Sequence, residues 1–245
     1  VVTITLNRPG VLNAQSVDTW SGLREAGRSV TGDTRIVIVK GAGRAFSAGL
    51  DRSRSLAVLA ELAAMPAGDA EDRILGFQEA FSWLARPDIL SIAAVQGHAV
   101  GAGFQLALAC DLRVVAADVQ FSMAEITLGL VPDLGGTHPL VRAVGYGRAL
   151  ELCLTARRVG AEEAVRLGLA ARSVPPDQLD TAVAELTAAL LARPRDAVVE
   201  TKALLLGADG RDAIAQRAAE RAAQVRRIRD LAAAATATAT AGAAD

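Results

Sequence analysis

The chain has 245 residues, 51% of them hydrophobic and 3% aromatic, and a formal net charge of −1. That length holds one large domain or two small ones, and that composition requires an aliphatic core of Ala, Val, Leu and Ile. The near-neutral balance argues against an electrostatic grip on nucleic acid or on an anionic membrane.

Alternating VVTITL predicts a strand over residues 1–6, followed by a helix over 18–30. RIVIVK, residues 35–40, reads as a buried strand, and residues 41–51 as a glycine-containing loop. Residues 53–76 are expected to wall a pocket, as a loop of unread shape up to the next helix. An amphipathic helix over 69–84 ends before Pro87, because proline disfavours helix at the residue before it. A strand over 89–95, a helix over 102–110 and short strands over 112–116 and 119–122 follow. From Pro139 onward the chain reads as helical, with helices over 148–154, 161–167, 177–192, 195–206 and 211–233. Strands separated by helices give an α/β class with a helical C-terminal third. The expected division is a core over 1–175, a helical region over 176–233 and a low-complexity, fraying tail over 234–245.

Residues 89–110 carry no Asp, Glu, Lys or Arg and match a membrane span in length. Gln96, His98 and Gln105 interrupt the run, and Gly97, Gly101 and Gly103 break it. A buried strand, a tight turn and a buried helix explain it better. No signal peptide is visible, and a start without Met suggests that N-terminal sequence is missing. A cytoplasmic setting is the expectation. Cys110 and Cys153 lie in apolar sequence without CxxC spacing, as buried reduced thiols do.

The most informative stretch runs from residue 94 to 136, AVQGHAVGAGFQLALACDLRVVAADVQFSMAEITLGLVPDLGG. A glycine-punctuated strand-to-helix turn precedes two lone carboxylates, Glu125 and Asp133, in apolar sequence. Backbone donors near isolated acids suit a site that stabilises an oxyanion while moving protons. On residues alone, Glu125 reads equally as an exposed acid on a short turn, and Asp133 as the cap of the VPDLGG turn. Dinucleotide binding is excluded, since Phe46 and Leu106 stand where the two GxGxxG frames need glycine. Ser47 and Ser122 lack a GxSxG context, which removes a serine hydrolase. His98 and His138 have no ligand-spaced neighbours, so they read as structural and no metal site is expected.

Four stretches in unbroken order resemble the enoyl-CoA hydratase/isomerase, or crotonase, superfamily: ITLNRPGVLNA, GAGRAFSAGLD, SIAAVQGHAVGAGFQLALACDLRVVAADVQF and AEITLGLVPDLGGTHPLVRAVGYGRALEL. LTARRVGAEEAVRLGLA matches the family's helix pair. The resemblance runs from residue 4 to about residue 175. It implies a spiral of repeated strand-strand-helix units in two roughly perpendicular sheets, with C-terminal helices that build a homotrimer or a dimer of trimers. It implies an acyl-CoA substrate, coenzyme A being part of that substrate, with no separate cofactor and no nucleic-acid or membrane partner.

By resemblance, the amides of Leu50 and Ala102 form the oxyanion hole, and one such donor is worth about 3 kcal/mol. Gly101 and Gly103 permit the turn. Ala48, Gly49, Leu50 and Asp51 form the CoA-binding loop and Gly101 and Gln105 contact substrate, while Arg52 and Arg54 read equally as phosphate contacts and as solvated surface arginines. Gly10 occupies the place of a basic residue in many relatives. Glu125 aligns with the family's acid/base. Gln105 stands where hydratases place a second glutamate, and an amide holds water or thioester but exchanges no proton. Asp133 stands where dienoyl-CoA isomerases and a halobenzoyl-CoA dehalogenase place an aspartate. The expectation is therefore a 3-enoyl-CoA or dienoyl-CoA isomerase using Glu125 and Asp133. The alternatives are an enoyl-CoA hydratase and a catalytically idle acyl-CoA-binding protein.

Overall fold

The structure, a computed structural model, describes residues 1–242. It divides into two compact units, Val1–Ala188 and Ala189–Asp245.

In the first unit, β1 (Val2–Leu6) leads to α1 (Val17–Ser29) and β2 (Ile36–Gly41). Then come α2 (Arg52–Ala64), α3 (Ala67–Ser82), β3 (Leu90–Val95), β4 (His98–Val100) and α4 (Ala102–Ala109). β5 (Leu112–Ala116) and β6 (Gln120–Ser122) are followed by a 3-10 turn at Glu125–Leu128. α5 (Thr137–Val144), α6 (Tyr146–Thr155), β7 (Val159–Gly160), α7 (Ala161–Arg166), β8 (Arg172–Val174) and α8 (Leu179–Leu191) complete the order.

Five strands form one parallel sheet in the order β1-β2-β3-β5-β8. Val39 pairs with Ala93, and Ala94 with Val114. Both faces of such a sheet are covered, so its inner strands read as continuous apolar runs rather than alternating ones. IVIV in β2 and SIAAV in β3 obey this rule, and Val37, Val39, Ile92 and Ala93 have no exposure. A second sheet has the order β4-β6-β7, parallel and then antiparallel. Phe46, Phe81, Phe104 and Phe121 fill the aliphatic core.

The charge-free run at 89–110 divides into β3, a turn, β4 and α4. Among the described residues, no helix is long and apolar enough to cross a membrane. Neither cysteine forms a disulfide; Cys110 is buried and Cys153 partly so.

Three expectations need correction. Residues 53–76 are not a loop up to the next helix; they fold as most of α2 and the first part of α3. Asp51 caps α2 by accepting the Ser53 N–H at 3.2 Å. Second, the stretch after Pro139 is not wholly helical, for it contributes β7 and β8. β8 is only three residues long and partly exposed, so it shows no alternation to read; its pairing with β5 creates it. Third, the last helix does not stop at 233.

In the second unit, α9 (Arg195–Leu206) is followed by α10 (Ala213–Gly242), which includes part of the expected tail. Alanine-rich sequence has the highest helix propensity, which explains the extension. Residues 243–245 lie outside the described residues. Arg226 pairs with Glu200 at 2.7 Å and Arg227 with Asp196 at 3.1 Å.

Candidate active site

The segment Ala48–Leu50 crosses beside Gln15 in a single parallel bridge. The Gln15 N–H donates to the Gly49 carbonyl at 2.6 Å, and the Asp51 N–H donates to the Gln15 carbonyl at 2.7 Å. In that pattern the groups of Leu50 itself point away from Gln15. Gly49 has φ +85, and a Cβ there would lie 2.3 Å from the Val100 carbonyl oxygen and 3.6 Å from the Ala102 nitrogen. Only glycine permits that backbone approach.

Val100 ends β4, and Gly101 turns the chain into α4 with φ 51 and ψ −119. The Gly101 N–H donates to the Ser122 carbonyl at 2.8 Å. Ala102 is the first residue of α4, where backbone N–H groups have no intrahelical acceptor. Neither the Leu50 nor the Ala102 N–H has a hydrogen-bond partner among the described residues. The fold thus brings two open donors together on adjoining segments.

A polar network supports this segment. The Ser47 hydroxyl donates to the Asn13 carbonyl at 2.8 Å and accepts from the Gln15 side chain at 3.1 Å and the Gly49 N–H at 3.2 Å. The Trp20 indole N–H donates to the Gln15 side-chain oxygen at 2.9 Å. Sequence reasoning missed Gln15 and Trp20. The one available signal was an isolated Gln where the apolar pattern led into α1.

Glu125 opens the 3-10 turn after β6 and is 9% exposed. Its Oε1 accepts from Gln105 Nε2 at 2.7 Å, while Oε2 has no hydrogen-bond partner. Burial pushes its pKa up; the Gln105 hydrogen bond opposes this, and the Asp133 carboxylate adds to the rise. Burial also raises Asp133. Gln78 Nε2 donates to the Asp133 backbone carbonyl at 2.8 Å and ties that loop to α3.

A cavity of about 260 Å³ unites these groups. Ala48, Gly49, Leu50, Gly101, Ala102, Glu125 and Asp133 all line it. Its apolar wall comes from Val17 and Trp20 of α1, Val58, Leu59 and Leu62 of α2, Phe77 of α3, and Leu128, Leu130 and Leu134. The Trp20 and Phe77 rings stack at 4.8 Å. Arg52, Arg54 and Ser55 add a polar edge.

Two expected contact residues are not in that lining. Gln105 is 1% exposed, and its Oε1 accepts the Leu134 N–H at 2.9 Å and the Gly136 N–H at 3.2 Å. Its amide is committed to protein groups rather than open to a substrate. Asp51 pairs with Arg8 at 2.9 Å and accepts from the Ser53 hydroxyl at 2.6 Å. Those two partners, Ser53 foremost, hold its pKa below the ordinary value. Arg54 lines the cavity but pairs with Asp18 at 3.0 Å. His98 lies in β4 and His138 in α5, and neither lines the cavity.

A glycine turn into a buried helix, two open N–H groups, the buried carboxyl group of Glu125 and the half-buried one of Asp133 thus meet at one cavity beside a parallel sheet. Residues 1–235 match the family model described as Enoyl-CoA hydratase/isomerase, and the chain belongs to that family. It is 38% identical over 84% of its length, and 73% of the relative's, to Probable enoyl-CoA hydratase echA12 of Mycobacterium bovis. Crotonyl-CoA hydratase of Syntrophomonas wolfei is 35% identical over 83% of this chain and 76% of that protein. Among solved structures, one from Thermobifida fusca YX, described as an enoyl-CoA hydratase in complex with acetoacetyl-CoA, superposes with a TM-score of 0.87. It is 45% identical, over 93% of this chain and 91% of that one.

Proposed function

We propose that this chain is an enoyl-CoA hydratase that works with the carboxylates of Glu125 and Asp133 in place of two glutamates. One observation carries the reading: both acids line the same cavity as Leu50 and Ala102, and burial raises the pKa of both. A carboxyl group tuned toward neutrality is suited to give and take protons at physiological pH. The relatives' names support water addition over the double-bond shift that the sequence favoured.

In this reading the thioester carbonyl oxygen of a 2-enoyl-CoA accepts hydrogen bonds from the Leu50 and Ala102 N–H groups. One carboxylate takes a proton from water as the water oxygen bonds to C3. The electrons of the double bond pass to the thioester oxygen, giving an enolate that the fixed amides stabilise without reorganisation. The other carboxyl group, protonated beforehand, delivers its proton to C2. The product is a 3-hydroxyacyl-CoA, and the protons balance. The polar edge at Arg52 suits the phosphates of coenzyme A, and the apolar wall suits the acyl chain. A homotrimer or dimer of trimers in the cytoplasm is the accompanying proposal.

A second reading is favoured by Gln105, which leaves no second glutamate on α4. Glu125 and Asp133 would then move one proton along the acyl chain of a 3-enoyl- or dienoyl-CoA. Purified protein incubated with matched 2-enoyl-, 3-enoyl- and 3,5-dienoyl-CoA esters decides, followed by mass and ultraviolet absorbance. A gain of one water on the 2-enoyl ester is expected. A spectral change without a mass change would establish isomerisation instead, and tight binding without either change an idle acyl-CoA-binding protein.

A further inference from the structure

Gln105 shares no surface with the cavity, yet it touches both of the segments that carry acids. Its Oε1 accepts two backbone N–H groups, from Leu134 and Gly136, and its Nε2 donates to Glu125 Oε1. This fixes which way the amide points. A flipped amide would set its NH2 against two N–H donors and its oxygen against a carboxyl oxygen. The flanking backbone is equally close: a Cβ at Gly136 would lie 2.6 Å from Gln105 Cγ.

The consequence falls on Glu125. Its Oε1 accepts the Gln105 N–H at 2.7 Å, and that donor lowers the basicity of Oε1 relative to Oε2. Its Oε2 has no partner. We propose that Gln105 is a positioning residue that makes Oε2 the proton-carrying oxygen of Glu125 and, through Leu134 and Gly136, locks that oxygen in register with the loop bearing Asp133. An acid at position 105 would not give the same fixed polarity. It would accept the two backbone N–H groups but face Glu125 as a like charge, and one of the two would have to hold a shared proton. The other titratable groups that act on Glu125 are Asp133 and Cys153 of α6.

The proposal rests on the reading of Glu125 as the proton carrier, but its test does not need turnover. The full chain is labelled with 13C at the glutamate carboxyl, and Glu125→Gln identifies the Glu125 resonance. Gln105→Met, which keeps the length of the side chain and removes all three hydrogen bonds, is titrated beside wild type. The Glu125 midpoint is expected to move upward, since a donor to the ionised form is lost. On whichever ester the wild type turns over, kcat is expected to fall about 10- to 100-fold with KM within about 3-fold, as for loss of a transition-state interaction. Gln105→Glu, which keeps both backbone acceptor contacts, should regain turnover only at pH low enough for one acid of the pair to be protonated. It also carries the test if the Met variant fails to fold. An unmoved Glu125 midpoint in folded Gln105→Met, or a Gln105→Glu variant with the wild-type pH profile, overturns the proposal. A shifted midpoint in a protein that turns over no ester would instead sink the hydratase reading and leave this one standing.

Discussion

Gly101 lies against the carboxyl group of Glu125: a Cβ added there would sit 3.2 Å from Oε1 and 3.8 Å from Oε2. One turn therefore seats the acid and, one residue later, presents the open Ala102 N–H at the start of α4. The distance between the Glu125 carboxyl group and the Ala102 N–H is set by a backbone that holds φ 51, where any side chain would be strained.

Glu125→Gln should lower kcat by about 10²- to 10⁴-fold, the range for loss of a general acid or base. The Gln105 hydrogen bond retains an acceptor in that variant, so binding of the CoA ester, read by calorimetry, should persist. Persisting turnover would remove Glu125 from the mechanism.

The same variant makes a stability prediction. Burial raises the Glu125 pKa above the ordinary glutamate value, so the folded state holds that proton over a pH window in which the unfolded chain has lost it. Stability attributable to this group therefore falls as pH rises from about that value through the folded pKa. Glu125→Gln should melt above wild type near pH 8 and level with it near pH 4. Thermal melts across that range check the sign.

Asp133→Asn should lower turnover of the preferred ester by about 10²-fold or more if Asp133 is the second proton carrier. Because the Asp133 carboxylate contributes to raising Glu125, the Glu125 midpoint should move down in the same variant. Unchanged turnover across the pH profile would confine Asp133 to the loop.

Gly49→Ala should abolish activity while costing stability. The added carbon would approach the Val100 carbonyl oxygen to 2.3 Å at a residue with φ +85, so the Leu50 and Ala102 segments must separate. Loss of one oxyanion donor costs about 10²- to 10³-fold in kcat. Gly10→Ala, which meets nothing within 4 Å, is the control and should leave kcat unchanged.

Asp51→Asn should destabilise the protein at neutral pH. Ser53 and Arg8 hold the Asp51 pKa below the ordinary aspartate value, so its stabilising effect is present above that value and is lost as pH falls through the folded pKa. The melting difference from wild type should shrink toward pH 2. A difference that persists there would mean that the carboxylate charge is not what stabilises α2.

Much of the fold was legible because its signals are local. Runs such as IVIV and SIAAV are short, apolar and bounded by turn signals, IVIV wholly β-branched, which favours buried strands, and the glycines between residues 97 and 103 disfavour one continuous helix. The ordered motifs also carried the family and the identity of the lone acids. The sequence misled where structure is decided by distant partners. The stretch before the helix expected at 69 lacks strong amphipathic spacing, yet it folds as α2 because α2 is capped by Asp51 and covers the cavity with Val58, Leu59 and Leu62. β8 is a strand only because β5 offers it an edge.

The sequence by itself determined the α/β class, the glycine turn before α4, and two isolated acids beside an amide that stands where the resemblance places a second glutamate in hydratases. Only the tertiary structure decided what these groups face. It set the Gln105 amide between Glu125 and the Leu134 and Gly136 N–H groups, and it paired Asp51 with Arg8 at the start of α2. The reason is physical: residue type fixes what a side chain can donate or accept, but its partner depends on which buried groups the packed backbone leaves unsatisfied nearby.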